Sequence, residues 1–207
     1  MAPAYKPHNE TPSQQIYGVI LAGGRSSRMG TDKAGLLWNG RTLLDRLYCV
    51  MRDIAGENAV IVSGNRPGYP HVIDENPGLG PIEGLRSVLK SLTSTDDDIS
   101  LLVCPVDMPF VDEDLFLKLL EHRTRGDVVK FQGFELPALF TATKKLENVL
   151  DELCLPEKSD STRSFRHLYS KLLTCEISHN IAASLVNTNT TEDWAHALST
   201  TNCSPTS

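Results

Sequence analysis

An apolar run from Ile16 to Leu21 breaks directly into Ala22-Gly23-Gly24-Arg25-Ser26-Ser27-Arg28-Met29-Gly30-Thr31-Asp32-Lys33. The run reads as a buried β-strand, and the segment after it must turn while carrying two arginines and a lysine. Glycines let backbone N–H groups come close to an anion, and fixed positive charge offsets the charge of a phosphate. A strand that opens into such a loop points to a nucleotide. An ordinary glycine turn with solvated arginines is the plainer alternative, but strand, paired glycines, arginines and Lys33 seldom coincide without an anion to bind. Spacing excludes two common phosphate loops. A Walker A loop needs Gly-x4-Gly-Lys-Ser/Thr, whereas Gly30 is followed by Thr31-Asp32 and Lys33 by Ala34. The dinucleotide fingerprint Gly-x-Gly-x-x-Gly fails because Gly23 and Gly24 are adjacent.

Beyond this loop, apolar strands alternate with helical segments, which predicts a layered α/β domain with a mainly parallel sheet. Strands are expected over 17–22, 59–63, 71–73, 100–104, 127–130, 135–140, 172–177 and 185–187. Those at 127–130 and 135–140 suit a hairpin, which would add an antiparallel strand. Helices are expected over 42–54, from Gly80-Pro81 to 92, after a cap at Asp112 to 122, and over 144–153, 164–170 and 191–198. Asp96-Asp97-Asp98 reads as a solvated turn. The chain has 207 residues, enough for one domain with a real core, assigned to 16–199. Residues 1–15 and 200–207 are polar and read as a flexible lead-in and tail.

Composition removes several classes of function. A net charge of −6 argues against broad nucleic-acid binding, which wants a basic face. No apolar run approaches bilayer length, and the N-terminal residues lack the apolar middle of a signal peptide. The five cysteines are odd in number and none forms a Cys-x-x-Cys pair. A disulfide framework or zinc site is therefore not expected, and a reducing cytoplasm fits.

Asp107 is the second strong feature. It lies just past the end of an apolar strand, where open α/β sheets place their ligands, and Pro105 and Pro109 stiffen the turn around it. A rigid carboxylate there suits Mg²⁺ held against phosphate oxygens. Alone it reads equally well as a turn aspartate; beside the first loop, the metal reading gains. The Lys33 ammonium is a compact charge that can reach phosphate oxygens as negative charge builds, or it is solvated or pairs with Asp32. Gly78-Leu79-Gly80-Pro81-Ile82-Glu83-Gly84-Leu85 opens a helix either as an anion site or as a tight loop with close helix packing.

Leu21-Ala22-Gly23-Gly24-x-Ser26-x-Arg28-Met29-Gly30-x-Asp32-Lys33 and Cys104-Pro105-x-Asp107-x-Pro109 resemble the signatures of the molybdenum cofactor guanylyltransferases. These are nucleotidyltransferases with a Rossmann-like, three-layer α/β/α fold. Related cytidylyltransferases usually carry Leu-Ala-Ala-Gly, so Gly23 favours the guanylyl branch. The resemblance implies transfer of GMP from GTP to molybdenum-molybdopterin, giving molybdopterin guanine dinucleotide and pyrophosphate, with Mg²⁺ as cofactor. GTP, molybdenum-molybdopterin, and molybdenum cofactor biosynthesis and acceptor proteins are the partners it implies.

Residue by residue, the resemblance puts Leu21, Ala22, Gly23 and Gly24 around the nucleotide. It puts Lys33 on the phosphates, Arg28 at the family's arginine and Asp107 on magnesium. The base falls near Ser63, Asn65 and Asp74. Relatives commonly carry asparagine where Ser63 stands, so Asn65 is the replacement contact. Asp74 serves base or ribose, or simply forms a turn. Leu136 stands where relatives often carry histidine, so no role for that histidine carries over. Arg163 or Arg166 falls on the acceptor phosphate, or each is a surface arginine. Asn187 and Asn189 help place the pterin or metal, or cap a helix. Two other functions stay open: a nucleotidyltransferase of different specificity (CTP or a sugar-1-phosphate), and a non-catalytic nucleotide-binding protein.

Overall fold

The expected first strand forms over Gln15–Leu21 (β1), reaching two residues further toward the N-terminus than its apolar pattern suggested. The computed structural model describes residues 15–23, 32–92 and 99–178. After β1 come a short hairpin, Leu37–Trp38 (β2) and Arg41–Thr42 (β3), and then helix Leu43–Ala55 (α1). Val60–Ser63 (β4), His71–Val72 (β5) and helix Pro81–Leu92 (α2) follow. Ile99–Pro105 (β6) leads to helix Glu113–Glu121 (α3). Strands Val128–Phe131 (β7) and Ala138–Thr141 (β8), helices Lys144–Leu153 (α4) and Phe165–Ser170 (α5), and strand Thr174–Ile177 (β9) complete the described chain. The strand expected at 185–187, the helix at 191–198 and the turn at 96–98 lie outside the described residues.

Among the described residues, seven strands make one sheet in the order β5-β4-β1-β6-β8-β7-β9. β8 runs antiparallel to both β6 and β7, and the other pairings are parallel, as the hairpin at 127–140 predicts. Side chains alternate across the strands, so the two faces collect separate cores. Ile20, Leu102 and Cys104 face α1 and α3, whereas Val19, Leu21, Leu101 and Val103 face α2, α4 and α5. These are the three α/β/α layers.

The helices start where short polar side chains can accept the first free N–H groups. Thr42 Oγ1 accepts from Asp45 N at 3.0 Å, Asp112 Oδ1 from Leu115 N at 3.0 Å, and Thr143 Oγ1 from Leu146 N at 3.2 Å. The β2–β3 hairpin was not expected, although its signal is present. Asn39-Gly40 sits between Trp38 and Arg41 with both φ angles positive, at 50° and 82°, the geometry an Asn-Gly hairpin turn favours. Trp38 carries the hairpin into the core, edge-on to Phe110 at 5.2 Å.

Register lines up the site. Leu21 at the end of β1 pairs with Ser63 on β4 and with Pro105 on β6. Ser63 pairs onward with Val72 on β5. Val103 pairs with Ala138, so the turn entering β8 reaches the same edge of the sheet from the other side.

Candidate active site

Two chain crossings at this edge bring together residues far apart in sequence. Lys33 begins a short 3₁₀ turn, Lys33–Gly35, capped by Asp32, whose Oδ1 accepts from Ala34 N at 3.2 Å. Asp107 follows β6, and its turn is tied down by Val106 N donating to Leu21 O at 3.1 Å. Arg46 on α1 adds a second tie, donating to Val111 O at 2.9 Å. The result is an ion pair between Lys33 Nζ and Asp107 Oδ2 at 2.8 Å, with both side chains largely buried. Leu21, Ala22, Gly23, Lys33 and Asp107 line one cleft of ≈ 510 Å³, which also takes in Pro81, Phe134 and Leu136. Leu136–Pro137 is a cis peptide.

Gly23 sits against a second group of expected residues. A Cβ built on it would lie 3.6 Å from Asp74 Oδ2 and 3.6 Å from Ser63 O. The buried Ser63 hydroxyl donates to Asp74 Oδ1 at 3.3 Å. Burial pushes the Asp74 carboxyl above the usual carboxylate range; the Ser63 bond opposes this and the Glu83 charge reinforces it. Gly64 packs backbone to backbone on Gly23: its φ is 111°, and a Cβ there would stand 3.1 Å from Gly23 Cα and N. Gly64→Ala therefore meets backbone strain, worth about 1–3 kcal/mol, and a clash that no side-chain rotation relieves. A melting temperature lowered by several degrees together with weakened nucleotide binding is the expected result. A variant indistinguishable from wild type in both would mean the two loops do not need this contact.

Within Gly78–Leu85, Gly84 is closely packed, and Pro81 lines the cleft. A Cβ on Gly84 would strike Ser63 Oγ at 2.3 Å, so the glycine makes room for the Ser63–Asp74 pair. Asp32 does not pair with Lys33. Its partner is Arg66, which donates to both Asp32 oxygens (2.8 Å to Oδ1) and to Ala22 O at 2.7 Å. One guanidinium thus clips the two ends of the glycine-rich loop together, and it holds the Asp32 carboxyl below its usual range. Sequence reasoning placed Arg66 only in the segment 63–66 near the base, with no tie to the glycine-rich loop. Its position directly after the β4 loop was the only hint.

Asn65 is exposed and forms no side-chain hydrogen bond among the described residues. Arg163 is committed to its own loop, donating to Asp160 Oδ1 at 2.6 Å and to Lys158 O. Gly24, Arg28, Asn187 and Asn189 lie outside the described residues. No group of three or more His, Cys, Asp or Glu gathers among the described residues. No helix among them is long and apolar enough to cross a membrane.

Comparison with known proteins shows the family. Residues 18–173 match the MobA-like NTP transferase domain as a family. A molybdenum cofactor guanylyltransferase of Xanthomonas euvesicatoria pv. vesicatoria is 40% identical over 186 residues, spanning 87% of this chain and 93% of that protein. In structure the chain is similar to molybdopterin-guanine dinucleotide biosynthesis protein A from Archaeoglobus fulgidus, with TM-score 0.70 and 17% identity over 90% of this chain and 98% of that one. It is also similar to 4-diphosphocytidyl-2C-methyl-D-erythritolsynthase from Anaerococcus prevotii, with TM-score 0.65 and 15% identity over 91% and 99%. At such identities the structural likeness speaks for the fold. The chain belongs to the MobA-like NTP transferase domain family and is a nucleotidyltransferase with a Rossmann-like fold.

Proposed function

We propose that the cleft transfers GMP from GTP to molybdenum-molybdopterin, releasing pyrophosphate and forming molybdopterin guanine dinucleotide. The observation that carries this reading is the Lys33–Asp107 pair in the cleft beside Gly23. It supports the reading because an ammonium and a carboxylate on a tied-down turn stand together at the end of β1, where the triphosphate is proposed to lie. The acceptor phosphate is already ionised, so the protein need supply no nucleophile. Its task is to bring two anions together, by positioning and by offsetting charge. Lys33 exchanges Asp107 for phosphate oxygens, and the backbone N–H groups after β1 add donors.

Asp107 is the residue that would hold a divalent cation, for which we infer Mg²⁺. One carboxylate fits that ion, which commonly takes one or two carboxylates and completes its shell with water and substrate phosphates. Bound there, it would supply Lewis-acid polarisation of the reacting phosphate.

Asp74 is the proposed reader of guanine. An ionised carboxylate accepts from two neighbouring donors, and the guanine edge offers a ring N–H beside an amino group, whereas cytosine offers an acceptor beside its amino group. The reading has a pH signature. Because burial raises the Asp74 pKa, its carboxylate is lost on acidification sooner than that of a solvated aspartate. GTP affinity should be flat at neutral pH and fall as pH drops through the raised value, and Asp74→Asn should be weak and flat throughout. The linkage sign is consistent: the folded state holds this proton more tightly than the unfolded one, so ionised Asp74 lowers stability at neutral pH. An unchanged GTP titration between neutral and acid pH in the wild type would remove Asp74 from base recognition.

The deciding experiment is pyrophosphate release. It should need GTP, a divalent cation and molybdopterin together, and CTP should not replace GTP. GTP at 100 times its Kd should add about 2.7 kcal/mol of stability, a rise of about 5–10 °C for a chain of this size. Release with CTP would favour another nucleotidyltransferase specificity, and GTP binding without release would favour a non-catalytic binder.

A further inference from the structure

Among the described residues, four charged side chains line the main cleft: Asp32, Lys33, Asp107 and Glu135. Three are carboxylates and one is an ammonium, a poor balance for a ligand that carries a triphosphate. Lys33 and Asp107 meet each other at 2.8 Å. Asp32 is the difficulty. It directly precedes Lys33, its side chain is exposed, and a carboxylate close to a phosphate repels it.

The charge is met from behind the cleft wall. Arg66 is not among the lining residues, yet its guanidinium donates to both Asp32 oxygens, at 2.8 Å to Oδ1, and the same Nη2 donates to Ala22 O at 2.7 Å. Two parallel N–H donors fix the direction of a carboxylate as well as offset its charge. Arg66 reaches from a braced turn. Tyr69 N donates to Arg66 O at 3.2 Å, and Val62 N to Pro70 O at 2.9 Å and Gly64 N to Val72 O at 2.8 Å close the loop back onto the sheet.

Asp32 passes the constraint on. Its Oδ1 also accepts from Ala34 N at 3.2 Å, which caps the turn that begins with Lys33. Ala34 is buried in the core that α1 covers, and Leu43 N ties the exit of the turn by donating to Leu36 O at 2.9 Å. A chain of bonds thus runs from the turn after β4, through guanidinium and carboxylate, to the N–H next to Lys33. Lys33 Nζ then extends to Asp107.

We propose that Arg66 is a positioning residue for the nucleotide's phosphates: it cancels the Asp32 charge in the cleft and holds the Asp32 cap that sets Lys33. The proposal rests on the nucleotide lying in this cleft with its phosphates at Lys33. It makes a residue of the loop that follows Ser63 responsible for the phosphate side of the site. Arg66 acts through Asp32 rather than on the substrate. Lysine is an incomplete replacement, because a single ammonium lacks the planar fork that spans both carboxylate oxygens and Ala22 O.

Equilibrium titrations of the full chain with GTP and with guanosine, both with Mg²⁺ present, test this. Guanosine carries no phosphate, so it reports on the base side alone. Arg66→Ala should weaken GTP binding about tenfold and leave guanosine binding within about twofold of wild type, while the melting temperature falls by only a few degrees. Arg66→Lys should fall between. Adding Asp32→Asn to Arg66→Ala removes the uncancelled charge but keeps a side-chain oxygen for Ala34 N, and should recover roughly threefold of the lost GTP affinity. In turnover, the KM for GTP should rise and that for molybdopterin should stay at its wild-type value. Arg66→Ala with wild-type GTP affinity would overturn the proposal. Equal losses for GTP and guanosine, or no recovery in the double variant, would also overturn it, since both mark a merely structural role. The expected pattern in a protein that releases no pyrophosphate with molybdopterin would keep Arg66 in its role and overturn guanylyl transfer. A wild-type protein that binds GTP no better than guanosine would overturn both, because no phosphate then lies at Lys33.

Discussion

Asp107→Asn should lower turnover by roughly 10³-fold, about 4 kcal/mol in the barrier, while the melting temperature moves by only a few degrees. The side chain keeps its shape and its amide oxygen can still accept from Lys33 Nζ, so exchanging the 2.8 Å ion pair for a neutral hydrogen bond costs on the order of 1–2 kcal/mol. What disappears is the negative charge proposed to hold a divalent cation against the phosphates. A further consequence separates this role from simple phosphate binding. In the wild type, Asp107 competes with phosphate for Lys33. Once that carboxylate is an amide, Lys33 loses the competitor, so GTP binding measured without metal should be as tight as in wild type or tighter. Binding with metal should need at least tenfold more Mg²⁺ to saturate. Lys33→Ala should show the reverse, with weakened GTP binding whether or not metal is added. Asp107→Asn that retains wild-type turnover and wild-type metal dependence would remove the carboxylate from the chemistry.

The sequence made the frame of this site legible because its signals are local. A run of apolar residues followed by paired glycines marks the end of β1, and Cys104-Pro105-x-Asp107-x-Pro109 marks the end of β6. Parallel pairing then sets Leu21 beside Pro105 with no further information needed. The start of α3 was legible for the same reason, since Asp112 caps within three residues of itself. Contacts that depend on tertiary approach were not. Nothing local tells that Arg66 reaches back 44 positions to Ala22 O or that Asp32 answers it. Nothing local separates the committed Arg163 from the exposed Arg166. The Asn39-Gly40 hairpin is a different kind of miss. Its turn signal was explicit, but two-residue strands carry too little periodicity to register beside a 13-residue helix. Leu136 falls in the cleft beside Phe134, so the position keeps its place in the site although its side chain cannot do what a histidine would.

Glu83 is a residue whose loss should lower stability strongly. It is fully buried in the first turn of α2, where a carboxylate also suits the helix dipole. Its Oε1 accepts from Asn76 N at 3.0 Å, Asn76 Nδ2 at 3.1 Å, Arg86 Nη1 at 3.2 Å and Ser87 Oγ at 3.4 Å. Burial and the neighbouring Glu83 push the Cys154 thiol up to about 12. Glu83 thus helps to fix the loop from Asp74 to Pro81, which joins the Ser63–Asp74 pair to the main cleft. Glu83→Ala removes the acceptor shared by Asn76, Arg86 and Ser87 and opens a cavity under the helix. Breaking a buried pair in this way costs about 3–5 kcal/mol. Arg86 keeps Asp151 at 2.6 Å and Glu75 at 2.8 Å, which places the cost toward the lower end. At about 3 kcal/mol the melting temperature should drop by roughly 6–12 °C. Glu83→Gln retains an oxygen for Asn76 and should cost about 1–2 kcal/mol. Well below its melting temperature, Glu83→Ala should also bind GTP more weakly, because the loop no longer holds Asp74 beside Gly23. Thermal melts and GTP titrations of the two variants check this, and an alanine variant no less stable than the glutamine one would mean that Glu83 fills space without holding the loop.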